Sequence, residues 1–170
     1  MAAVKTPLPI LLLCLALAAA GCGDDDDSSN GASSNGSSSA QSPAEAAKRS
    51  KPQVTVPTGS PPTELVQEDL VEGSGPSAKA GDQVTVQYVG VGFDSGKEFD
   101  ASWDRGEPFS FQLGAGEVIP GWDQGVAGMK AGGQRQLVIP AELAYGEAGF
   151  PPAIAPNEAL VFVVDLLDVK

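Results

Sequence analysis

The side chains that could do chemistry in this chain are aromatic rings, hydroxyls and carboxylates, because histidine is absent and only two cysteines occur. Without histidine there is no Ser-His or Cys-His nucleophile pair and no histidine-based metal site. Cys14 and Cys22 are too few for a thiolate zinc site, so we expect no metal and no other cofactor. The groups left for a site are therefore hydroxyls, carboxylates and aromatic rings, and a binding pocket demands polar groups of this kind at the edge of an apolar surface.

Candidate residues for such a pocket lie in the C-terminal part of the chain. All ten aromatic residues fall between Tyr88 and Phe162, and aromatic side chains dominate the energetics of a core. Tyr88 and Tyr145 carry hydroxyls, and Asp100 directly follows Phe99. Two plainer interpretations stay open at this point. Alternating aromatic residues in a sheet are usually core, and Asp100 is equally suited to a turn in which it accepts backbone hydrogen bonds.

The net charge excludes one class of partner. The chain carries 22 acidic and 10 basic residues, a formal net charge of −12. Nucleic-acid binding needs clustered Lys and Arg, so no nucleic-acid partner is expected.

The elements that would position these residues are mostly strands. Residues 83–91 and 160–166 alternate between apolar and polar or smaller side chains, as strands with one buried face do. One short helix is predicted from Pro120, where proline suits the first turn and Trp122 and Val126 share a face. The pattern predicts an α+β domain, an antiparallel sheet of about five strands with one short helix packed on it.

The N-terminal residues have the features of an export signal, and we predict a signal peptide over residues 1–21. Lys5 supplies a positive start, and an apolar run follows over 8–20 that is too short for a permanent membrane span. The run ends in LAAAGC at 17–22, which resembles a bacterial lipobox with Cys22 as the lipidated residue. The alternative is that Cys22 is incidental in an ordinary cleaved signal.

Residues 22–63 are predicted to be a disordered tether, because they are rich in Ser, Gly, Asp and Pro and poor in apolar residues. The domain then occupies 64–170. We expect an exported protein that is held at the outer face of a bacterial cell membrane through lipidated Cys22, with a secreted or periplasmic soluble protein as the alternative. No long amphipathic helix precedes the domain, so a monomer is expected.

Seven segments carry a resemblance to a known family. They are VQYVG at 86–90, GKEFDAS at 96–102, PFSFQLG at 108–114, EVIPGWDQGV at 117–126, GMKAGGQR at 128–135, AYG at 144–146 and LVFVVDLL at 160–167. In order and spacing they closely resemble the FKBP-type peptidyl-prolyl cis-trans isomerases. The resemblance covers about residues 64–170. It departs from the family at Phe150, where many members have another residue, and in the prolines that follow.

The resemblance implies a half-barrel sheet wrapped around the short helix, with an apolar pocket between them. It implies catalytic roles for Phe99, Asp100, Ile119 and Tyr145. The backbone N–H of Ile119 would hold a substrate carbonyl, the Tyr145 hydroxyl would be a second donor, and Asp100 would orient a neighbouring hydroxyl without transferring a proton. The implied substrate-binding residues are Tyr88, Phe109, Val118, Trp122 as the floor, Ile154 in an overhanging loop, and Phe162.

The implied activity is the isomerisation of X–Pro bonds in proline-containing polypeptides, assisting the folding of exported proteins, with macrolides of the rapamycin type as possible inhibitors. Rotating such a bond twists a partial double bond over a barrier of about 18–20 kcal/mol. No bond is broken, so a site without nucleophile or metal suffices. The alternative function is a chaperone or scaffold module that holds proline-containing segments with little turnover.

Overall fold

The computed structural model describes residues 40–170. The predicted signal peptide, Cys22 and the first part of the tether lie outside the described residues. No helix between residues 40 and 170 is long and apolar enough to cross a membrane. This part contains the strands β1 Val66–Val71, β2 Gln83–Gly92, β3 Glu98–Ala101, β4 Phe109–Gln112, β5 Gln134–Ile139 and β6 Leu160–Val169, and the helices α1 Pro43–Ala46, α2 Ser102–Arg105 and α3 Pro120–Gly125.

The strands of this part of the chain form one antiparallel sheet in the order β1-β5-β6-β2-β3, with β4 also paired to β2. The first half of β2 pairs with β4 and its second half pairs with β3, so these two short strands share one edge of β2. The α+β class is therefore confirmed, with six strands where the sequence predicted about five. Helices α1 and α2 were not predicted, because four residues are too few to show a helical period.

Helix α3 lies unusually close to the sheet. A Cβ atom on Gly121 would stand 2.3 Å from Cγ2 of Ile139, and one on Gly125 would stand 2.7 Å from Cδ1 of Leu137. Only glycine allows this separation, because any side chain would collide with β5. The helix thus packs Trp122 into the concave face of the sheet, beside the buried side of β2.

Residues 40–57 pack against the domain, and we call them the N-terminal strap. The backbone N–H of Gln41 donates to the carbonyl of Glu72 at 2.8 Å, and the N–H of Ser74 donates to the carbonyl of Gln41 at 2.8 Å. Further along, Val54 and Val56 pack on an apolar cluster of the outer sheet face, formed by Val91, Phe93, Val138, Ala159 and Val161. The tether predicted over 22–63 is therefore wrong for residues 40–57.

An ion pair anchors the middle of the strap. Arg49 Nη1 lies 2.6 Å from Oδ1 of Asp165, whose side chain on β6 is fully buried. The same guanidinium donates to the carbonyl of Gly132 at 2.7 Å, and the Gln134 amide donates to Asp165 at 2.9 Å. Burial raises the pKa of the Asp165 carboxyl, and the bonds from Arg49 and Gln134 oppose that rise. The strap thus supplies the positive charge that offsets the desolvation cost of burying the Asp165 carboxylate.

Replacing Arg49→Ala should lower the free energy of unfolding by about 3 kcal/mol at neutral pH, because it leaves the Asp165 charge buried and uncompensated. Without Arg49 the pKa of Asp165 rises further. A carboxyl with a raised folded-state pKa favours folding at low pH and loses that contribution as pH rises through the folded value. The loss should therefore be smaller near pH 4 than near pH 7, as measured by urea unfolding at both values.

The matched control for this experiment is Lys48→Ala. Lys48 is exposed and forms no ion pair within residues 40–170, so its removal should change stability little at either pH. An equal loss for Arg49→Ala at the two pH values would contradict the buried ion pair.

Candidate active site

A cavity of about 440 Å³ opens between α3 and the concave face of the sheet. Its walls come from β2, β3, β4, β6, α3 and the loop before α3, so most of the fold contributes to it. Every residue that was predicted to line the pocket lines this cavity, except Ile154. The lining consists of Tyr88, Phe99, Asp100, Phe109, Gly116, Glu117, Val118, Ile119, Trp122, Tyr145 and Phe162.

Aromatic rings packed edge to face form the floor and walls. The Trp122 ring lies 5.0 Å from that of Tyr88 at an interplanar angle of 87°, and 5.3 Å from that of Phe162 at 86°. Phe99 meets Phe162 at 5.5 Å and 88°. Edge-to-face pairs at these distances are favourable beyond the area they bury, and each ring restrains its neighbours. The floor and walls of the cavity are therefore aromatic, and their rings hold one another in position.

Three polar side chains are linked at one edge of the cavity. The Tyr88 hydroxyl donates to Asp100 Oδ2, and the Arg105 guanidinium pairs with Asp100 Oδ1. Arg105 Nη2 also donates to the Tyr88 oxygen at 2.8 Å, and its guanidinium carbon lies 5.5 Å from the centre of the Tyr88 ring. The predicted contact between Asp100 and the Tyr88 hydroxyl is present. The Asp100 carboxylate is already engaged by two donors.

The hydroxyls of both tyrosines keep their protons in this environment. Burial raises the pKa of Tyr88 to about 12, and the hydrogen bond to Asp100 adds to the rise while Arg105 opposes it. Burial also raises the pKa of Tyr145, with a further contribution from the Asp100 charge. Both phenols are therefore available as hydrogen-bond donors at neutral pH.

A backbone donor stands at the start of α3. Ile119 is the residue before the helix, and its carbonyl accepts the N–H of Trp122 at 2.9 Å. Its own N–H has no acceptor within residues 40–170. Because Ile119 lines the cavity, this N–H is available to donate to a ligand there, and its role in holding a substrate carbonyl stays a prediction.

The loop over the cavity differs from the prediction. Ile154 is only 2% exposed and belongs to the core, so it does not line the cavity. Backbone bonds of 2.9 Å in both directions between Phe150 and Ile154 close a tight turn. The large apolar side chain that this loop exposes is Phe150, 60% accessible, whose ring lies 5.7 Å from that of Tyr145.

Three residues of the site were not predicted from the sequence. Gly116 and Glu117 line the cavity in the loop before α3, and the Glu117 carboxylate accepts the backbone N–H of Gln112 at 2.9 Å. Arg105 was not assigned to the site, although it follows Asp100 by five positions. A four-residue helix brings it back to the carboxylate, and a turn of that length leaves no periodic signal.

The structure is an antiparallel sheet with one short helix packed on it, and between them lies an aromatic cavity edged by hydroxyls and a carboxylate. A family model described as FKBP-type peptidyl-prolyl cis-trans isomerase matches residues 75–167. The chain belongs to the family of FKBP-type peptidyl-prolyl cis-trans isomerases. The predicted fold and enzyme class are thereby confirmed.

Individual relatives agree with this assignment. The chain is 60% identical over 120 residues to an FK506-binding protein of Streptomyces anulatus, covering 70% of this chain and 97% of that one. It is 56% identical over 93 residues to the peptidyl-prolyl cis-trans isomerase FPR2 of Saccharomyces cerevisiae, covering 55% and 69% of the two chains.

Solved structures agree in fold. The crystal structure of AtFKBP13 matches with a TM-score of 0.59 at 41% identity, over 64% of this chain and 95% of that one. The crystal structure of FkpA from Escherichia coli matches with a TM-score of 0.58 at 47% identity, over 75% of this chain and 55% of that one.

The two tyrosines, both of which line the cavity, permit a direct test of the cavity electrostatics. In the unfolded chain the phenols should titrate near pH 10, whereas in the folded protein phenolate absorbance should appear only at higher pH. Because the folded-state pKa values are raised, folding stability should fall as pH rises from about 10 through the folded values.

Asp100→Asn should move the phenolate titration of the folded protein to lower pH, since the Asp100 charge raises the pKa of both phenols. Asp94→Asn, an acidic residue away from the cavity, serves as the control and should leave the curve in place. If folded and unfolded chains gave one common titration curve, the described environment would be wrong.

Proposed function

We propose that this isomerase acts on X–Pro bonds of exported proteins during their folding, from a position at the outer face of a bacterial cell membrane to which lipidated Cys22 anchors it. The observation that carries the isomerase part of the proposal is the cavity itself, with its tryptophan floor, aromatic walls and donors at its rim. The location at the membrane rests on the LAAAGC segment at 17–22. It acts as a monomer, and it binds macrolides of the rapamycin type in the same cavity.

The cavity accelerates rotation by favouring the rotated form of the bond. A planar X–Pro amide is polar and well solvated by water, whereas the twisted amide has lost resonance and carries less charge on its oxygen. Moving the bond from water into the aromatic hollow therefore stabilises the twisted form relative to the planar one. Each 1.36 kcal/mol of that difference increases the rate about tenfold.

Donors at the rim orient the substrate. The free N–H of Ile119 donates to a carbonyl oxygen of the substrate, and the Tyr145 hydroxyl is positioned as a second donor on the same cavity. The prolyl ring lies against Trp122 at the floor. Asp100 holds the Tyr88 hydroxyl and Arg105 in place, and its two existing bonds suit an orienting role better than proton transfer.

A second candidate function rests on the exposed aromatic rim. Phe150 is prominently exposed beside Tyr145, and Phe109 is also partly exposed at the cavity. Such a rim can retain a proline-containing segment through apolar contact, as a chaperone or scaffold would. In this case Phe150→Ala would weaken segment binding while leaving the turnover of a short X–Pro peptide unchanged.

Phe99→Ala should lower kcat/KM on an X–Pro peptide about tenfold or more, because the side chain forms a wall of the cavity and holds Phe162 edge-on. Asp100→Val should also reduce turnover, since it releases Tyr88 and Arg105. The measurement is a protease-free isomerisation assay, with thermal unfolding to confirm that each variant is folded.

Phe93→Leu is the control, because Phe93 is buried on the outer face of the sheet and does not line the cavity. Unchanged turnover in both Phe99→Ala and Asp100→Val would refute the assignment of this cavity as the active site.

The anchoring proposal is tested by Cys22→Ser in a bacterial host. The unaltered protein should sediment with membranes and need detergent for release, because more than one acyl chain is required for stable anchoring. The variant should appear in the soluble exported fraction. If the two proteins partition alike, Cys22 is an incidental residue of an ordinary cleaved signal.

A further inference from the structure

The residues that form the polar edge of the cavity lie on one short stretch of chain. Residues 98–105, here called the pocket-edge segment, comprise β3 and α2 and carry Phe99, Asp100 and Arg105. Strand β3 is four residues long and stands at the edge of the sheet, so among residues 40–170 it pairs only with β2. The register of that pairing shifts between Gly90 and Val91. A short edge strand with an irregular register holds its side chains loosely unless something else restrains it.

The N-terminal strap supplies such a restraint through Lys51. Its ammonium group lies 2.7 Å from Glu98 Oε1, and 2.7 and 2.9 Å from the two carboxylate oxygens of Asp104. These contacts engage the full donor capacity of an ammonium group. Glu98 is the first residue of β3, and Asp104 is the third residue of α2. One side chain thus joins the two ends of the pocket-edge segment.

Lys51 is itself held from both sides along the strap. Two residues before it, Arg49 is bound to the buried Asp165. Three and five residues after it, Val54 and Val56 pack on the outer face of the sheet. A lysine on a free surface gains little from an ion pair, because it must give up the freedom of a long side chain and of its backbone. The backbone of Lys51 is already fixed by its neighbours in the strap, so forming these ion pairs costs less conformational entropy.

We propose that Lys51 is a positioning residue of the isomerase: by joining Glu98 to Asp104 it fixes the pocket-edge segment, and through it Asp100 and Arg105 at the rim of the cavity. This inference rests on the isomerase site described above. It adds to that site a residue that precedes the matched family region and does not touch the substrate. The two acidic contacts also raise the pKa of Lys51, which keeps it charged over the working pH range.

The test compares four variants of the full-length chain: Lys51→Ala, Lys51→Arg, Asp104→Ala and Lys130→Ala. Lys130 is the matched control, because it forms an ion pair of the same length, 2.7 Å to Glu72, and does not line the cavity. The first readout is kcat/KM on an X–Pro peptide. Lys51→Ala and Asp104→Ala should each lose about threefold, the size expected for a small group of exposed ionic contacts, and Lys51→Arg should restore most of it.

The second readout is independent of turnover. The chain has two tryptophans, Trp103 within α2 and Trp122 at the cavity floor, so an NMR spectrum shows two indole N–H signals. In Lys51→Ala and Asp104→Ala the Trp103 signal should shift or broaden, and in Lys51→Arg it should return to its original position. Lys130→Ala should leave both signals unchanged.

Full activity with an unmoved Trp103 signal in Lys51→Ala would overturn the proposal. An equal loss of activity in Lys130→Ala would also overturn it, because the effect would then come from the overall charge of the protein. A double variant of Lys51→Ala with Asp104→Ala should lose no more than Lys51→Ala alone, because that single variant already removes the contact to Asp104. Additive losses would also count against the proposal. The outcomes of these variants bear on the role of Lys51 and not on the isomerase function. That function would be refuted if the unaltered chain turned over no X–Pro peptide.

Discussion

The structure depends on how closely helix α3 approaches strand β5. Gly121 and Gly125 bring the helix so near to Ile139 and Leu137 that no other residue type fits at either position. Because helix α3 packs closely against one part of the sheet, a cavity remains beside the helix. Trp122 forms the floor of this cavity and does not fill it. A helix displaced outward by even one methyl group would change the depth of the cavity and the tilt of every ring that packs on the indole.

In the mechanism proposed above, the cavity works through the environment it gives the substrate and not through a reactive group. The reaction changes the polarity of one amide without making or breaking bonds, so what matters is how little the site solvates the planar form and how firmly it holds the substrate carbonyls. The stiff arrangement of Tyr88, Trp122 and Phe162 serves the first requirement. The hydroxyls with raised pKa values and the free N–H of Ile119 serve the second.

The strands and helix α3 could be predicted from local sequence patterns, whereas the residues of the site were implied by the resemblance to the family. Alternation along β2 places Tyr88 on the buried face, and Pro120 marks where α3 begins. Ile154 was misplaced because a loop has no period, and its side chain turned inward to the core.

The strap was missed for a different reason. Its polar composition resembles a disordered linker, and the contact that anchors it joins Arg49 to Asp165, which are 116 residues apart. Only the folded chain shows that the buried carboxylate on β6 requires a cation, and that the cation comes from the strap. In the sequence, Pro52, Val54 and Val56 do alternate with polar residues, and in the structure these three are the half-buried ones. That run is too short to distinguish a packed strap from chance.

The strap also changes what should count as one autonomous folding unit. The family match spans residues 75–167, and a fragment cut to those limits would lack both the strap and β1. Without Val54 and Val56, the apolar cluster on the outer face of the sheet would be exposed, and without β1 the edge of β5 would be unpaired. Asp165 would also lose its ion pair with Arg49. Such a fragment would carry the whole cavity and still be prone to self-association, because exposed apolar surface and open strand edges promote pairing between chains.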